Sequence, residues 1–272
     1  MSATPFSLLL PVYAGDDATQ LRAAFRSSVD DQTLPPSEVV IVRDGPVPDA
    51  VADAIADLAA ASDVPVRVVE LEANVGLAAA LEAGLAVCAH DVVARMDADD
   101  LSLPERFARQ LALLDTGLDL VGSGLVEFSG SLEHRGAVRT PPVGANIAAY
   151  ARFHQPFNHP TVVYRRSVVA SVGGYAEMGR MEDYWLFARM IHAGARVDNV
   201  PDALLGYRVD AGAYARRGGL ALLRSELALQ RALRAIGFTT RAQYARNLVV
   251  RGGYRLVPER LRRLAYRARF TG

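Results

Sequence analysis

Asp97, Asp99 and Asp100 are three carboxylates within four residues, in the run Asp91-Val92-Val93-Ala94-Arg95-Met96-Asp97-Ala98-Asp99-Asp100. Hard oxygen donors packed this closely suit a divalent cation such as Mg²⁺ or Mn²⁺. Such an ion is commonly held by one or two carboxylates together with substrate phosphates. Asp97 and Asp99, two positions apart, can aim at one cation, or at a cation and a ligand hydroxyl. Asp100 then points elsewhere, and capping of the helix that starts near Pro104 is its ordinary alternative. Acidic turns after strands are common and usually just solvated, so the motif must be judged by its surroundings. It is not a calcium hand, because Ser102 stands where that loop requires glycine.

The elements that must position these acids can be read from periodicity. Val92 to Ala94 is a short apolar run suited to a buried strand, and helical spacing begins after Pro104 with Phe107, Leu111 and Leu114. Before it, Phe6–Val12, Val39–Val42 and Val66–Leu71 read as strands. They alternate with helical patterns over Ala18–Asp30, Asp49–Ala61 and Leu77–Cys88. This alternation predicts an α/β fold with a parallel sheet covered by helices on both faces. In such sheets ligands bind beyond the carboxyl ends of the strands. Tyr13, Asp44, Asn74 and the Asp97/Asp99 pair all follow strands, so four strand ends converge on one candidate site.

The second half is more mixed. Leu120–Phe128 and Thr161–Tyr164 read as strands, as do two short pieces, Val197–Val200 and Leu204–Tyr207. Arg135–Pro142 reads as a polar loop, and Ile147–Phe157 as a short helix followed by irregular chain. Gly173-Gly174-Tyr175 is a turn. Met181–Ala193 and Leu220–Ile236 are helical.

Composition narrows the function classes. The chain has 272 residues, 51% of them hydrophobic, enough for a large α/β domain with an appendage. Its net charge is zero, so no nucleic-acid partner is expected. All basic side chains are arginine, and nine of them lie from Arg241 onward against a single acid, Glu259. One cysteine, Cys88, cannot form an internal disulfide, which fits a reduced, cytoplasmic setting. No signal peptide or membrane-spanning stretch is read. There is neither a Gly-rich phosphate loop with Lys nor a Gly-x-Ser-x-Gly elbow. His90, His134, His154 and His192 show no metal-ligand spacing with one another.

Taken together, the motifs resemble family 2 glycosyltransferases with the GT-A fold. The resemblance rests on Leu10-Pro11-Val12-Tyr13, Asp31-Gln32-Thr33, Arg43-Asp44-Gly45-Pro46 and Asn74-Val75-Gly76-Leu77-Ala78 in the first third of the chain. It continues through Arg95 to Asp100, Pro104-Glu105-Arg106, Asn158-His159-Pro160-Thr161-Val162, Gly173-Gly174-Tyr175 and Glu182-Asp183, in the family's order. It implies a Rossmann-like, mostly parallel sheet over residues 1–215. The nucleotide-binding half would run to about 105, the acceptor half over 106–215, and a helical, Arg-rich extension over 216–272. The form Arg-Asp-Gly-Pro resembles a bacterial branch that builds surface polysaccharides. The common family form is Asp-Asp-Gly-Ser, and Arg43 departs from it.

What the resemblance implies about chemistry is specific. The donor would be a nucleoside-diphosphate sugar, UDP-linked by preference, delivering a hexose or N-acetylhexosamine to a glycan or lipid-linked acceptor with inversion. Asp99, with Asp97 sharing the metal or binding the ribose, would hold Mn²⁺ or Mg²⁺. Pro11, Val12, Tyr13, Asp44, Asn74, Gly76, Met96 and Ala98 would complete the nucleotide-sugar site, with Asp44 accepting a hydrogen bond from the base. Asp183 matches the family's catalytic base, which must take the proton of the acceptor hydroxyl. Glu182 would flank the acceptor. Both acids also suit the start of a helix, where the macrodipole favours negative charge. His159 either is structural or reaches the acceptor or phosphates, and Trp185 packs in a core or stacks on a sugar.

Three rivals are set against this reading. A nucleotidyltransferase would want a basic Gly-rich loop where Ala14-Gly15-Asp16-Asp17 is acidic. An Asp-nucleophile phosphatase would want its Asp-x-Asp after the first strand rather than the fourth. A non-catalytic nucleotide-sugar-binding relative would not need both Asp99 and Asp183. Beyond Pro258, Leu261, Leu264, Ala265 and Ala268 fall on one helical face ringed by arginines. That pattern suits an anionic membrane surface, a dimer contact or packing on the domain itself.

Overall fold

The computed structural model describes residues 4–209 and 219–256. The basic helix expected beyond Pro258 lies outside the described residues. Chain order is β1 (Phe6–Tyr13), α1 (Ala18–Ser28), β2 (Glu38–Asp44), α2 (Asp49–Ala61), β3 (Val66–Glu70), α3 (Leu77–Val87), β4 (Val92–Arg95), β5 (Leu101–Ser102) and α4 (Arg106–Leu114). Then follow β6 (Leu120–Ser129), β7 (Ser131–Arg139), α5 (Ile147–Ala151), β8 (Val163–Arg165), α6 (Arg166–Ser171), α7 (Glu182–His192) and β9 (Val197–Arg208). The C-terminal lobe comprises α8 (Leu220–Ala235), α9 (Arg241–Asn247), a π-helical turn (Leu248–Gly252) and α10 (Gly253–Leu256).

One sheet runs through the molecule in the order β3-β2-β1-β4-β8-β6-β9-β5, with β7 on β6. β3, β2, β1 and β4 are parallel, as the strand–helix alternation predicts. Beyond β4 the sheet is mixed: β8 is antiparallel to β4 and to β6, while β6 and β9 are parallel. Alternate residues of β1 face opposite layers. Leu8 and Leu10 pack with Leu21, Phe25, Val51 and Phe107 of α1, α2 and α4. Leu9 packs with Leu81 and Leu85 of α3 and Leu186 and Phe187 of α7. Central strands covered on both faces must be apolar throughout, which is why β1, β2 and β4 read as continuous hydrophobic runs.

Two sequence expectations are corrected. Arg135–Pro142 is not simply a polar loop: Ser131–Arg139 forms β7, antiparallel to β6. Its side chains are largely exposed, so it carries no burial pattern to betray it. The two short pieces Val197–Val200 and Leu204–Tyr207 are one strand, β9, carried past Pro201 and Asp202 by a register shift against Gly124. A shift of this kind lets a proline sit within a strand.

The C-terminal lobe docks on α5 and α7. Leu222, Leu229 and Leu233 of α8 and Phe238 pack against Ala151, Tyr184 and Ala188, with Trp185 at the margin of the cluster.

Candidate functional site

A cleft of about 570 Å³ opens at the carboxyl ends of the parallel strands. Pro11, Val12 and Tyr13 line it from β1, Asp44 from β2, Asn74 and Gly76 from the turn after β3, and Asp97, Ala98 and Asp99 from the loop after β4. These positions were expected together. Met96 does not join them: its side chain is fully buried, and its sulfur accepts from Ser102 Oγ and Arg106. Asp16, Leu77, Ala80, Arg95 and Tyr207 also line the cleft and were not among the expected site residues, although Leu77 and Arg95 stand in the quoted motifs.

The floor is built by Asp44. Its two carboxylate oxygens accept from the backbone N–H groups of Val75 (2.7 Å) and Gly76 (3.1 Å), while Asn74 Nδ2 donates to its carbonyl (3.2 Å). Asp44 therefore holds the Asn74–Gly76 turn in place, and each oxygen keeps further lone-pair capacity toward the cleft. Gly45 is required here. Its φ is +82°, and a Cβ would lie 2.4 Å from Asn74 N. Gly76, at φ +89°, faces open space, so backbone rather than side chain meets whatever occupies the cleft.

Asp97, Asp99 and Asp100 each present an oxygen within 4.8 Å of the others. Their loop is held from β9: Arg208 donates its backbone N–H to Asp100 (2.9 Å) and its Nε to the Asp99 carbonyl (2.7 Å). Asp100 does not cap α4, whose N-cap position is Glu105 and has no side-chain cap. Asp100 is wholly buried, with one oxygen unpartnered. Burial and the neighbouring Asp97 push the Asp99 carboxyl up to about 6, against the pull of Arg208 and Arg95. Burial, with the fields of Asp99 and Asp97, pushes Asp16 up to about 7. Carboxylates crowded together in a half-buried cleft are the donor set a hard cation would relieve, so the residues fit Mg²⁺ or Mn²⁺.

Arg95 is the pivot. Its side chain is buried and ion-paired with Asp97. Burial opposes its charge, but the fields of Asp97, Tyr175, Asp183 and Asp100 outweigh that and keep the guanidinium protonated. Arg106, fully buried, fixes the strand end beneath it by donating to the carbonyls of Arg95 (2.5 Å) and Pro160 (3.0 Å). Burial lowers Arg106 to about 9.

A second polar group, within the electrostatic reach of Arg95, is not among the residues that line this cleft. Asp183, in the first turn of α7, accepts from Gln155 Nε2 (2.5 Å) and from the Tyr184 N–H (2.6 Å). His159 Nδ1 lies 3.7 Å from Asp183, and its Nε2 is 2.9 Å from Tyr175 Oη. Burial and Arg95 hold His159 well below the usual imidazole range, so it is neutral. Tyr175 is fixed in turn, its N–H donating to Glu82 of α3 (2.6 Å). Burial raises the Asp183 carboxyl, with Gln155, the Tyr184 N–H and Arg95 opposing. Glu182 is raised to about 7 by burial and by Asp183. Trp185 packs at the margin of the cluster between the C-terminal lobe and α7, with Arg189 stacked 5.1 Å over its ring.

Comparison with known proteins matches this arrangement to a family. Residues 7–173 match the family described as Glycosyl transferase family 2. The chain is 37% identical to the amylovoran biosynthesis glycosyltransferase AmsE of Erwinia amylovora, over 96% of this chain and 97% of that one. It is 30% identical to an Escherichia coli UDP-Gal:alpha-D-GlcNAc-diphosphoundecaprenol beta-1,3-galactosyltransferase, over 96% and 95%. Among solved structures, a mannosyltransferase from Pyrobaculum calidifontis in complex with GDP-Man and Mn²⁺ superposes with a TM-score of 0.68. It is 19% identical, and the match covers 98% of this chain and 76% of that one.

Proposed function

The chain belongs to glycosyl transferase family 2, and from that premise and the geometry of the cleft we propose an inverting, metal-dependent transfer from a nucleoside-diphosphate sugar, UDP-linked, to a lipid-linked or glycan acceptor in surface-polysaccharide synthesis. The observation that supports this reading is the position of Arg95. Its guanidinium lines the cleft and is paired with Asp97 of the acidic cluster, and it also feels the field of Asp183, which this reading sets on the acceptor side.

In this reading the nucleotide lies along Pro11–Tyr13 and the Asp44-held turn, with its base toward Asp44 and its ribose toward Asp97. Asp97 and Asp99 would hold Mn²⁺ or Mg²⁺, and the bound ion would supply positive charge against the departing diphosphate. Asp183 takes the proton of the acceptor hydroxyl as that oxygen attacks the anomeric carbon from the face opposite the diphosphate. A positioned base contributes typically 10²–10⁴-fold. Neutral His159 cannot compete as a cation for the diphosphate. It stands beside Asp183 and helps shape the acceptor side together with Glu182. Residues to about 105 form the donor half, 106–215 the acceptor half, and 216–272 the extension.

No helix among the described residues is long and apolar enough to cross a membrane. Exposed Val249, Val250 and Tyr254, followed by the Arg-rich sequence from 257 onward, support contact between the extension and an anionic inner membrane surface. Cosedimentation with vesicles containing anionic lipid, lost at high salt, is the expected result. The whole reading is tested by thermal shift across nucleotide-sugars with Mn²⁺ or Mg²⁺. A specific donor at 100 times its Kd adds about 2.7 kcal/mol, and equal shifts for all nucleotides, with or without metal, would count against it.

A further inference from the structure

Asp183 draws its only close side-chain hydrogen bond, among the described residues, from Gln155. That partner stands on irregular chain. After α5, Phe153 and His154 both donate to the Tyr150 carbonyl, and no regular element follows until the 3₁₀ turn at His159–Thr161. A loop of this kind would by itself hold an amide loosely against a carboxylate.

The C-terminal lobe grips that loop. Asn247 Nδ2 donates to the Arg152 carbonyl (2.8 Å), and Arg251 Nη1 donates to the Phe153 carbonyl (2.9 Å). Arg246 stacks 4.7 Å over the Phe153 ring. Arg251 also lies 5.1 Å over the ring of Tyr184, whose hydroxyl donates to the Ala151 carbonyl (2.7 Å). The residue next to Asp183 is thus clamped by the same contacts as the loop that carries Gln155. Arg251 is itself fixed by Glu226, a fully buried acid on α8, at 2.6 and 3.0 Å, and Arg255 and Gln230 complete the shell of Glu226. A buried ion pair of this kind adds little net stability but fixes geometry when every member is bonded. A base is effective only if its supports are themselves locked.

We propose that Gln155 is a positioning residue for Asp183, and that Asn247, Arg246 and Arg251 hold it there, which makes the C-terminal lobe part of the acceptor-side machinery. This rests on the reading of Asp183 as the base. The amide N–H favours the ionised carboxylate and fixes the direction of its lone pairs. Without it, Asp183 binds its proton more tightly and points less definitely at the acceptor hydroxyl.

The test uses the full chain. The Asp183 carboxyl is titrated by ¹³C NMR and assigned by its absence in Asp183→Asn. In parallel, UDP release from UDP-galactose with Mn²⁺ and a diphospholipid-linked N-acetylglucosamine acceptor is followed against pH, and UDP affinity is measured separately. Gln155→Ala is expected to raise the Asp183 titration midpoint and cut kcat roughly 10- to 100-fold, most at low pH, with UDP affinity unchanged. Asn247→Ala and the surface variant Arg246→Ala are expected to move both readouts the same way by less. Arg246→Ala keeps the test open if Asn247→Ala fails to fold. If Gln155→Ala leaves the titration and pH profile unmoved while Asp183→Asn abolishes turnover, the clamp is overturned and the base stands. If only Gln155→Ala has an effect, the lobe's part is overturned. If Asp183→Asn turns over normally, the base assignment itself has failed.

Discussion

Asp99 should destabilise the metal-free protein, and Asp99→Asn should reveal by how much. Burial and Asp97 hold its carboxyl at about 6, against 3.8 for an unperturbed group. The folded state therefore binds the proton more tightly than the unfolded chain. The stability this lends is complete below pH 3.8 and is lost as pH rises through about 6; Asp16 extends the same loss to about 7. At about 1.4 kcal/mol per pH unit, the Asp99 shift corresponds to ~3 kcal/mol. Partial exposure of Asp99 and solvent relaxation reduce this to about 1–2 kcal/mol, or roughly 3–6 °C in Tm for a chain of this size. In calorimetry of the metal-free protein, Tm should fall between pH 5 and pH 8. Asp99→Asn should raise Tm at pH 8 while leaving it little changed at pH 4. Mn²⁺ with UDP should stabilise the native protein at pH 8 and do nothing for Asp99→Asn. A variant no more stable than the native chain at pH 8, or one that still responds to Mn²⁺ with UDP, would refute the reasoning.

Gly45→Ala forces a Cβ against the Asn74 backbone at φ +82°. It should cost about 1–3 kcal/mol by denaturant titration and weaken nucleotide affinity, because the Asn74–Gly76 turn must shift. Arg251→Ala strips a direct partner from buried Glu226 and should lower stability by about 3–5 kcal/mol, with Glu226→Gln in the same background recovering part of the loss. Arg106→Met leaves the Arg95 and Pro160 carbonyls without their donor. It should lower Tm and transfer rate together, since both sides of the site hang on that contact, and a variant with native stability and rate would exclude this role.

The donor half was legible because its physics is local. β1, β2 and β4 are covered on both faces, so each had to be an apolar run, and each ends in the polar residue that faces the cleft. The acceptor half was less so. β7 has few buried side chains, and β9 passes Pro201 through a register shift that no periodicity announces. Met96 sat within the acidic motif, yet its side chain is fully buried against Ser102 and Arg106 while Asp97 lines the cleft. Asp16 looked like ordinary turn acid until the fold brought Asp97 and Asp99 beside it. Gln155 and Arg251 carry no local signal at all, and Arg106 stood in a family motif that said nothing of its contacts. Their partners lie up to 98 residues away, and only tertiary contact makes an arginine there structural rather than solvated.

Donor side and acceptor side can be separated in a single comparison: UDP-sugar affinity and transfer rate for Asp183→Asn beside the native chain, both with Mn²⁺. Unchanged affinity with transfer reduced at least 100-fold is the predicted result, since only deprotonation of the acceptor is lost. Transfer at the native rate would contradict the account, because Asp183 would then have no part in the chemistry.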